Sequence, residues 1–138
     1  LDLLKEKGTF VYLPNHKIVY SAQQQTRVNE LLHQFASSPY SPPSQKDCLL
    51  QVGEEIYNAL IEQDTLVAVS NEVVFRSQDY HSMLSVVQGM IKIEGSISVA
   101  QFRDQFQTSR KYALAFLEHL DAINVTIRDG DVRRLANP

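Results

Sequence analysis

The 138-residue chain is 43% hydrophobic and 21% charged, with 13 basic and 16 acidic side chains and a net charge of −3. Composition of this kind excludes wholesale disorder and collagen-like repetition, and a single cysteine excludes a disulfide scaffold. The acidic balance excludes a uniformly basic nucleic-acid coat but leaves room for a local basic patch, and no apolar run approaches the ~20 residues that span a bilayer. Cys48 has no intrachain partner, which suits a reducing, cytoplasmic compartment.

Residues 1–7 read as a helix end, with apolar positions Leu1, Leu3 and Leu4 and Gly8 as the stop. Residues 9–13 and 17–20, rich in β-branched and aromatic side chains, flank the turn cluster Pro14-Asn15-His16 and predict a hairpin. Residues 1–21 are therefore expected to finish a unit that began upstream, in a longer protein. From 22 to 36, Val28, Leu31, Leu32 and Phe35 share one helical face. The stretch Ser37-Ser38-Pro39-Tyr40-Ser41-Pro42-Pro43 is a loop that proline holds extended. Ser44 caps a short helix carrying Cys48, Leu49 and Leu50, which Gly53 breaks. Glu54-Glu55 opens the next helix, where carboxylates suit the dipole. Residues 66–69 and 73–75 then form a hairpin around Ser70-Asn71-Glu72.

The pattern repeats. Asp79 is expected to begin a helix that buries Met83, Leu84, Val87, Met90 and Ile91 and ends at Gly95. Ser96-Ile97-Ser98 is a short extended piece, and Val99, Phe102, Arg103 and Phe106 mark a second helix. A turn at Gln107-Thr108-Ser109 starts the third, with Ala113, Phe116, Leu117 and Leu120 on its buried stripe. Lys111, Tyr112, Ala115, His119 and Ala122 fall on the other side, where small alanines would let a groove or backbone approach. Residues 125–128 and 131–135 form a hairpin about Asp129-Gly130. Asn15, Asn71 and Gly130 mark turns 56 and 59 residues apart, a spacing that fits a small domain rather than a solenoid repeat. Helix, short strand, helix, turn, helix, hairpin is the order of a winged helix. The expected fold is mainly α with small β-hairpins (α+β): tandem winged-helix domains at 22–78 and 79–138, preceded by the helix end and wing of another at 1–21.

Catalytic signals are absent from the pattern. There is no phosphate-cradling Gly-Lys-Ser/Thr loop and no dinucleotide glycine fingerprint. His16, His33, His81 and His119 are scattered, Cys48 sits among leucines, and Asp129-Gly130-Asp131 offers too few oxygens for a calcium site. No enzyme and no metal are expected in this piece.

A binding surface is a better expectation. Residues 1–102 carry 7 basic and 11 acidic side chains, and residues 103–138 carry 6 and 5. The basic groups of the last unit gather at Arg110-Lys111, in the first turn of the third helix, and at Arg128, Arg133 and Arg134 on the wing. Thr108 and Ser109 place hydroxyls at that helix N-terminus, where free N–H groups favour a phosphate; alternatively one of them is only the cap, and Arg110 pairs with Asp104 or Asp131. Spacing alone leaves nucleic-acid binding and protein–protein docking level, with a DNA-binding regulator third. The corresponding helix of the middle unit starts with Glu54-Glu55 and is expected to avoid phosphate.

The run Phe102-Arg103-Asp104, Thr108-Ser109-Arg110-Lys111-Tyr112-Ala113-Leu114, Leu117-Glu118-His119-Leu120-Asp121 and Val125-Thr126-Ile127-Arg128-Asp129-Gly130-Asp131-Val132-Arg133 resembles the C-terminal winged helix of the bacterial selenocysteine-specific elongation factors. The resemblance implies a fragment that binds the mRNA hairpin (the selenocysteine insertion element) recoding UGA. It further implies that Gln107, Thr108, Ser109, Arg110, Lys111, Tyr112, Arg128, Gly130, Asp131 and Arg133 contact RNA, with the unit at 22–78 as spacer or docking element. In the full-length factor it implies GTP and Mg, selenocysteinyl-tRNA and the ribosome as ligands and partners; the fragment itself is expected to be a monomer that needs no cofactor and no membrane. Where that family carries two adjacent basic residues after the wing threonine, Thr126 here is followed by Ile127-Arg128, so one wing phosphate contact is expected to be lost.

Overall fold

A computed structural model describes residues 4–6, 9–11 and 19–137 of the chain. β1 (Leu4–Glu6) and β2 (Thr9–Val11) pair antiparallel, with Leu4 opposite Val11 and Glu6 opposite Thr9. A strand thus stands where a helix end was expected over residues 1–7. So short an apolar segment gains too few backbone bonds to offset helix nucleation, whereas strand pairing satisfies backbone groups immediately. The expected turn Pro14-Asn15-His16 lies outside the described residues, and Val19 and Tyr20 belong to no strand.

α1 (Ala22–Ser37) starts at Ser21, whose hydroxyl accepts from the Gln24 N–H while the Gln24 side chain accepts from the Ser21 N–H. This reciprocal cap satisfies two donors that a helix start would otherwise orphan. Val28, Leu31 and Phe35, spaced three and four apart, form its buried stripe. α2 (Gln45–Val52) is capped in the same way by Ser44 and Asp47 and stops at Gly53, whose φ of +83° only glycine adopts cheaply. α3 (Glu54–Glu62) buries Ile56, Tyr57, Ala59 and Leu60. β3 (Leu66–Ala68) and β4 (Val74–Arg76) close this unit as an antiparallel pair.

The middle unit departs from the expected order in one respect: it has no short strand between its first two helices among the described residues. Pro42 and Pro43 supply no N–H to a ladder, and a lone bond from the Gln45 N–H to the Glu72 carbonyl, 2.9 Å, stands in its place.

α4 (Ser77–Glu94) follows β4 without a linker. It begins two residues before Asp79, because Asp79 does not cap it: both carboxylate oxygens take a fork from the Arg76 guanidinium, at 2.9 and 3.1 Å. Gly95 ends α4 in the left-handed region. β5 (Ile97–Ser98), α5 (Val99–Phe106), α6 (Arg110–Ala122), β6 (Thr126–Asp129) and β7 (Val132–Leu135) complete the second winged helix, with β7 central in a β5-β7-β6 sheet.

Among the described residues two hydrophobic clusters form, and the stretch 73–75 at β4 joins them. Val74 packs with Val28, Leu31, Phe35 and Leu60 in the middle unit, while Val73 and Phe75 pack with Met83, Phe102, Phe116 and Leu120 in the last. Side chains alternate across a strand, so a single three-residue stretch enters both cores. The Phe75 ring meets Phe116 edge-on at 5.7 Å and Tyr112 at 6.4 Å between centroids. Phe75→Ala is expected to cost about 3–5 kcal/mol and to lower the stability of both units together. Urea unfolding followed by residue-resolved NMR checks this; a last unit that keeps its own midpoint would show the cores to be independent.

Candidate nucleic-acid interface

The residues ahead of α6 form a tight turn. Gln107 ends α5 with φ +50°, and the Thr108 N–H reaches back to the Arg103 carbonyl at 3.0 Å. Ser109 is the N-cap residue, yet its hydroxyl makes no cap bond, in contrast to Ser21, Ser44 and Ser98. The first ladder bond within α6 runs from the Ala113 N–H to the Ser109 carbonyl, 3.1 Å. The backbone donors before it stand at the positive end of the helix dipole, as an anion site requires.

Arg110 is exposed and has no ion pair among the described residues; Asp104 is taken by Arg103 at 3.3 Å. The Lys111 ammonium lies 4.0 Å from the Glu72 carboxylate on the middle wing, with both side chains at least half exposed. A pair so placed contributes little and leaves Lys111 available. Gln107 and Ser109 are exposed beside them.

Thr108 and Tyr112 are placed differently. The Thr108 hydroxyl donates to the Tyr40 carbonyl at 2.6 Å, and the Tyr112 hydroxyl donates to the Pro42 carbonyl at 3.1 Å. Both bind the proline loop of the middle unit. The face of α6 expected to admit a groove is open only in part: Ala115 and Tyr112 are partly buried against the core, Lys111 and Ala122 are exposed, and an open cavity separates the 70–73 turn from Lys111, Leu114, Ala115 and Glu118. His119, expected on an open face, is half-buried with Nε2 2.8 Å from the Tyr80 hydroxyl, and burial lowers its pKa.

On the wing, Gly130 turns the chain with φ +65°, and Asp131 and Arg128 are exposed, the Arg128 Nε–H donating to the Gly130 carbonyl at 3.0 Å. Arg134 pairs with Asp129 at 2.9 Å, and Ile127 is 56% exposed. Arg133 is placed differently from these. It is only 1% exposed, with Nε 3.2 Å from Asp121 Oδ2, while the Thr126 hydroxyl donates to Asp121 Oδ1 at 2.6 Å. Alternation along β7 turns Arg133 away from its exposed neighbour Arg134 and into the protein, where Asp121 of α6 holds both wing strands. Arg133 is thus held inside the unit by Asp121 rather than presented on the wing surface beside Arg128 and Arg134.

The middle unit offers the opposite electrostatics. Glu54 and Glu55, both exposed, open α3 behind the uncapped Gly53. Cys48 is fully buried, and burial, with Asp47 adding to it, pushes its thiol up to about 12, which keeps it protonated and unreactive. Among the described residues no three His, Cys, Asp or Glu side chains gather to hold a metal, and no helix is long and apolar enough to cross a membrane.

Residues 90–135, which contain this helix and wing, match the family model described as the winged helix of elongation factor SelB. The helix and wing of the last unit are thus similar to the SelB winged helix. The chain is 26% identical to the selenocysteine-specific elongation factor of Desulfomicrobium baculatum, over 89% of this chain and 20% of that protein. It is 23% identical to the Escherichia coli factor, over 95% of this chain and 23% of that one. It therefore spans about a fifth of the length of these curated relatives. Among solved structures, the mRNA-binding domain of E. coli SelB, determined in complex with SECIS RNA, superposes with a TM-score of 0.65 at 23% identity, covering 84% of this chain and 98% of that one. A bacterial selenocysteine-specific elongation factor gives 0.64 at 17% identity, covering 83% of this chain and 18% of that one. These likenesses establish the tandem winged-helix fold.

Within the last unit the Asp121–Thr126–Arg133 cluster is not legible as a unit in the sequence, although all three residues lie in the matching run. The signal was the spacing: a carboxylate at the end of the third helix followed by a hydroxyl and a guanidinium on the two wing strands. Removing one partner of a buried pair leaves the other uncompensated. Arg133→Ala is expected to cost roughly 3 kcal/mol or more, and Arg128→Ala no more than about 0.5 kcal/mol. Urea denaturation of both variants checks this, and equal small losses would return Arg133 to the surface.

Proposed function

We propose that this chain is the mRNA-binding part of a selenocysteine-specific elongation factor and that it holds the hairpin that directs UGA recoding. The observation that carries the reading is the first turn of α6: an N-terminus without a side-chain cap, flanked by exposed Arg110 and Lys111 and followed by an exposed wing bearing Arg128. Backbone N–H groups and two cations converge where an RNA phosphate would be held by charge-assisted bonds. Ser109 and Gln107 would add neutral contacts, and Gly130 and Asp131 at the wing tip would meet the other side of the hairpin. Bases read directly would be unpaired ones, since the deep, narrow major groove of A-form RNA excludes side chains. Support also comes from the curated relatives, which are named as selenocysteine-specific elongation factors, and from the SelB domain solved with SECIS RNA.

In this reading residues 79–138 grip the RNA and residues 22–78 serve as the spacer that carries them, with residues 1–21 closing a preceding unit. GTP, Mg, selenocysteinyl-tRNA and the ribosome would be engaged by the remainder of a cytoplasmic factor. The role of this part is binding, without chemistry of its own.

The test is direct. RNA hairpins with randomised loops and bulges are selected on the full chain, and the tightest is titrated against Arg110→Ala and Lys111→Ala. Hydrogen bonds to charged groups contribute about 1.5–3 kcal/mol, so each substitution should weaken binding roughly tenfold or more. The slope of log K against log salt should shrink by about 0.7–0.9 for each lost phosphate. Melting temperature should hold, because the Lys111–Glu72 pair is solvent-exposed. Unchanged affinity and slope in a folded Lys111→Ala would move the protein-docking reading ahead; equal affinity for duplex DNA would favour a DNA-binding regulator.

A further inference from the structure

The exposed residues expected to hold phosphate, Ser109, Arg110 and Lys111, lie between two residues that are tied to the other winged helix. Thr108 precedes them and bonds the Tyr40 carbonyl; Tyr112 follows them and bonds the Pro42 carbonyl. The Ser41 hydroxyl lies 3.0 Å from the Thr108 hydroxyl, and the Tyr40 ring packs on Phe106, the last residue of α5, at 5.0 Å between centroids. Pro42 itself is buried. The Ser109 side chain gives the helix start no cap bond. The fixed points on either side of this turn therefore include two side-chain bonds from a different unit.

We propose that the 38–43 loop of the middle unit is a positioning element of the RNA site, acting through Thr108 and Tyr112 on the first turn of α6. This rests on the RNA reading above. A phosphate cradle is effective when its donors are held in the bound arrangement before the ligand arrives, since ordering them on binding subtracts from affinity. The loop supplies that order: proline restricts its backbone, and its Tyr40 and Pro42 carbonyls accept from hydroxyls on either side of the cradle. The middle unit then has a part in RNA affinity while contacting no RNA, in keeping with the acidic start of α3.

Thr108→Val and Tyr112→Phe remove the two hydroxyls with little change of shape. Each is titrated, in the full 138-residue chain, with the selected hairpin at a temperature far below its melting point, beside the parent, Arg110→Ala and Thr108→Ser. Positioning predicts that each clamp variant binds about threefold or more weaker, the order of one lost hydrogen bond, although its surface charge is unaltered. It also predicts that Thr108→Ser restores affinity and that the double variant is weaker than either. Reduced thermal stability together with parental affinity in the folded clamp variants would overturn the proposal and leave the bonds as mere packing. If Arg110→Ala weakens binding but the clamp variants do not, the RNA reading stands and only the positioning role fails. If the parent binds no hairpin, both fail together.

Discussion

β4 is buried on both faces, and the rest of the arrangement depends on that constraint. Val74 belongs to one core, Val73 and Phe75 to the next, and α4 starts at the following residue but one. A strand that alternates between two cores cannot turn in one without disturbing the other, so the winged helices meet as packed solids rather than as beads on a linker. The consequence falls on α6. Its Ala113, Phe116, Leu117 and Leu120 stripe fills its own core, and the middle unit covers Tyr112 and Ala115 on another side. On α6 the first turn stays exposed, as do Glu118 and Ala122 further along, and so does much of the wing. The exposed Arg and Lys side chains of α6 are confined to that first turn, at Arg110 and Lys111.

The two units share a scaffold and differ in charge at the same place. After α3, the Gln63, Asp64 and Thr65 N–H groups bond the Ala59, Ile61 and Leu60 carbonyls; after α6, the Ile123, Asn124 and Val125 N–H groups bond those of His119, Asp121 and Leu120. Asp64 and Asn124 both take positive φ, at 61° and 63°. Such equivalence at helix ends marks repeated architecture. At the opposite ends the helices part: α3 opens with Glu54 and Glu55, α6 with Arg110 and Lys111. Like charge would repel phosphate at the first and opposite charge attract it at the second.

Local chemistry made most of the fold legible. Ser44 and Gly53 bound α2, Gly95 ends α4 and Gly130 turns the wing, because caps and positive-φ glycines announce themselves within a few residues. The apolar stripes of α1 and α6 followed from helical spacing. What escaped was long-range. A helical wheel places Tyr112, Ala115 and His119 on a second face but does not say that Phe75 packs on Tyr112 and Tyr80 on His119. Thr108 looked like a cap because a hydroxyl at a helix start usually is one, whereas its partner is Tyr40, far back in the chain. Arg133 resembled its neighbours Arg128 and Arg134 in type, and only strand alternation set against Asp121 separates a buried lock from a surface cation. Pro42-Pro43 was readable as a loop, but not as the reason the middle unit lacks a third strand.

Backbone amide shifts of the 15N-labelled chain, recorded as a selected RNA hairpin is added, report most directly on whether the ligand meets only the end of α6. The arrangement predicts large shifts at Gln107, Ser109, Arg110, Lys111 and the Arg128–Asp131 tip, with small ones at Leu114, Ala115 and Glu118 and across α3. Shifts spread evenly along α6, or centred on Glu54 and Glu55, would contradict it, since the first takes RNA away from the Arg110-Lys111 end and the second places it where carboxylates repel it.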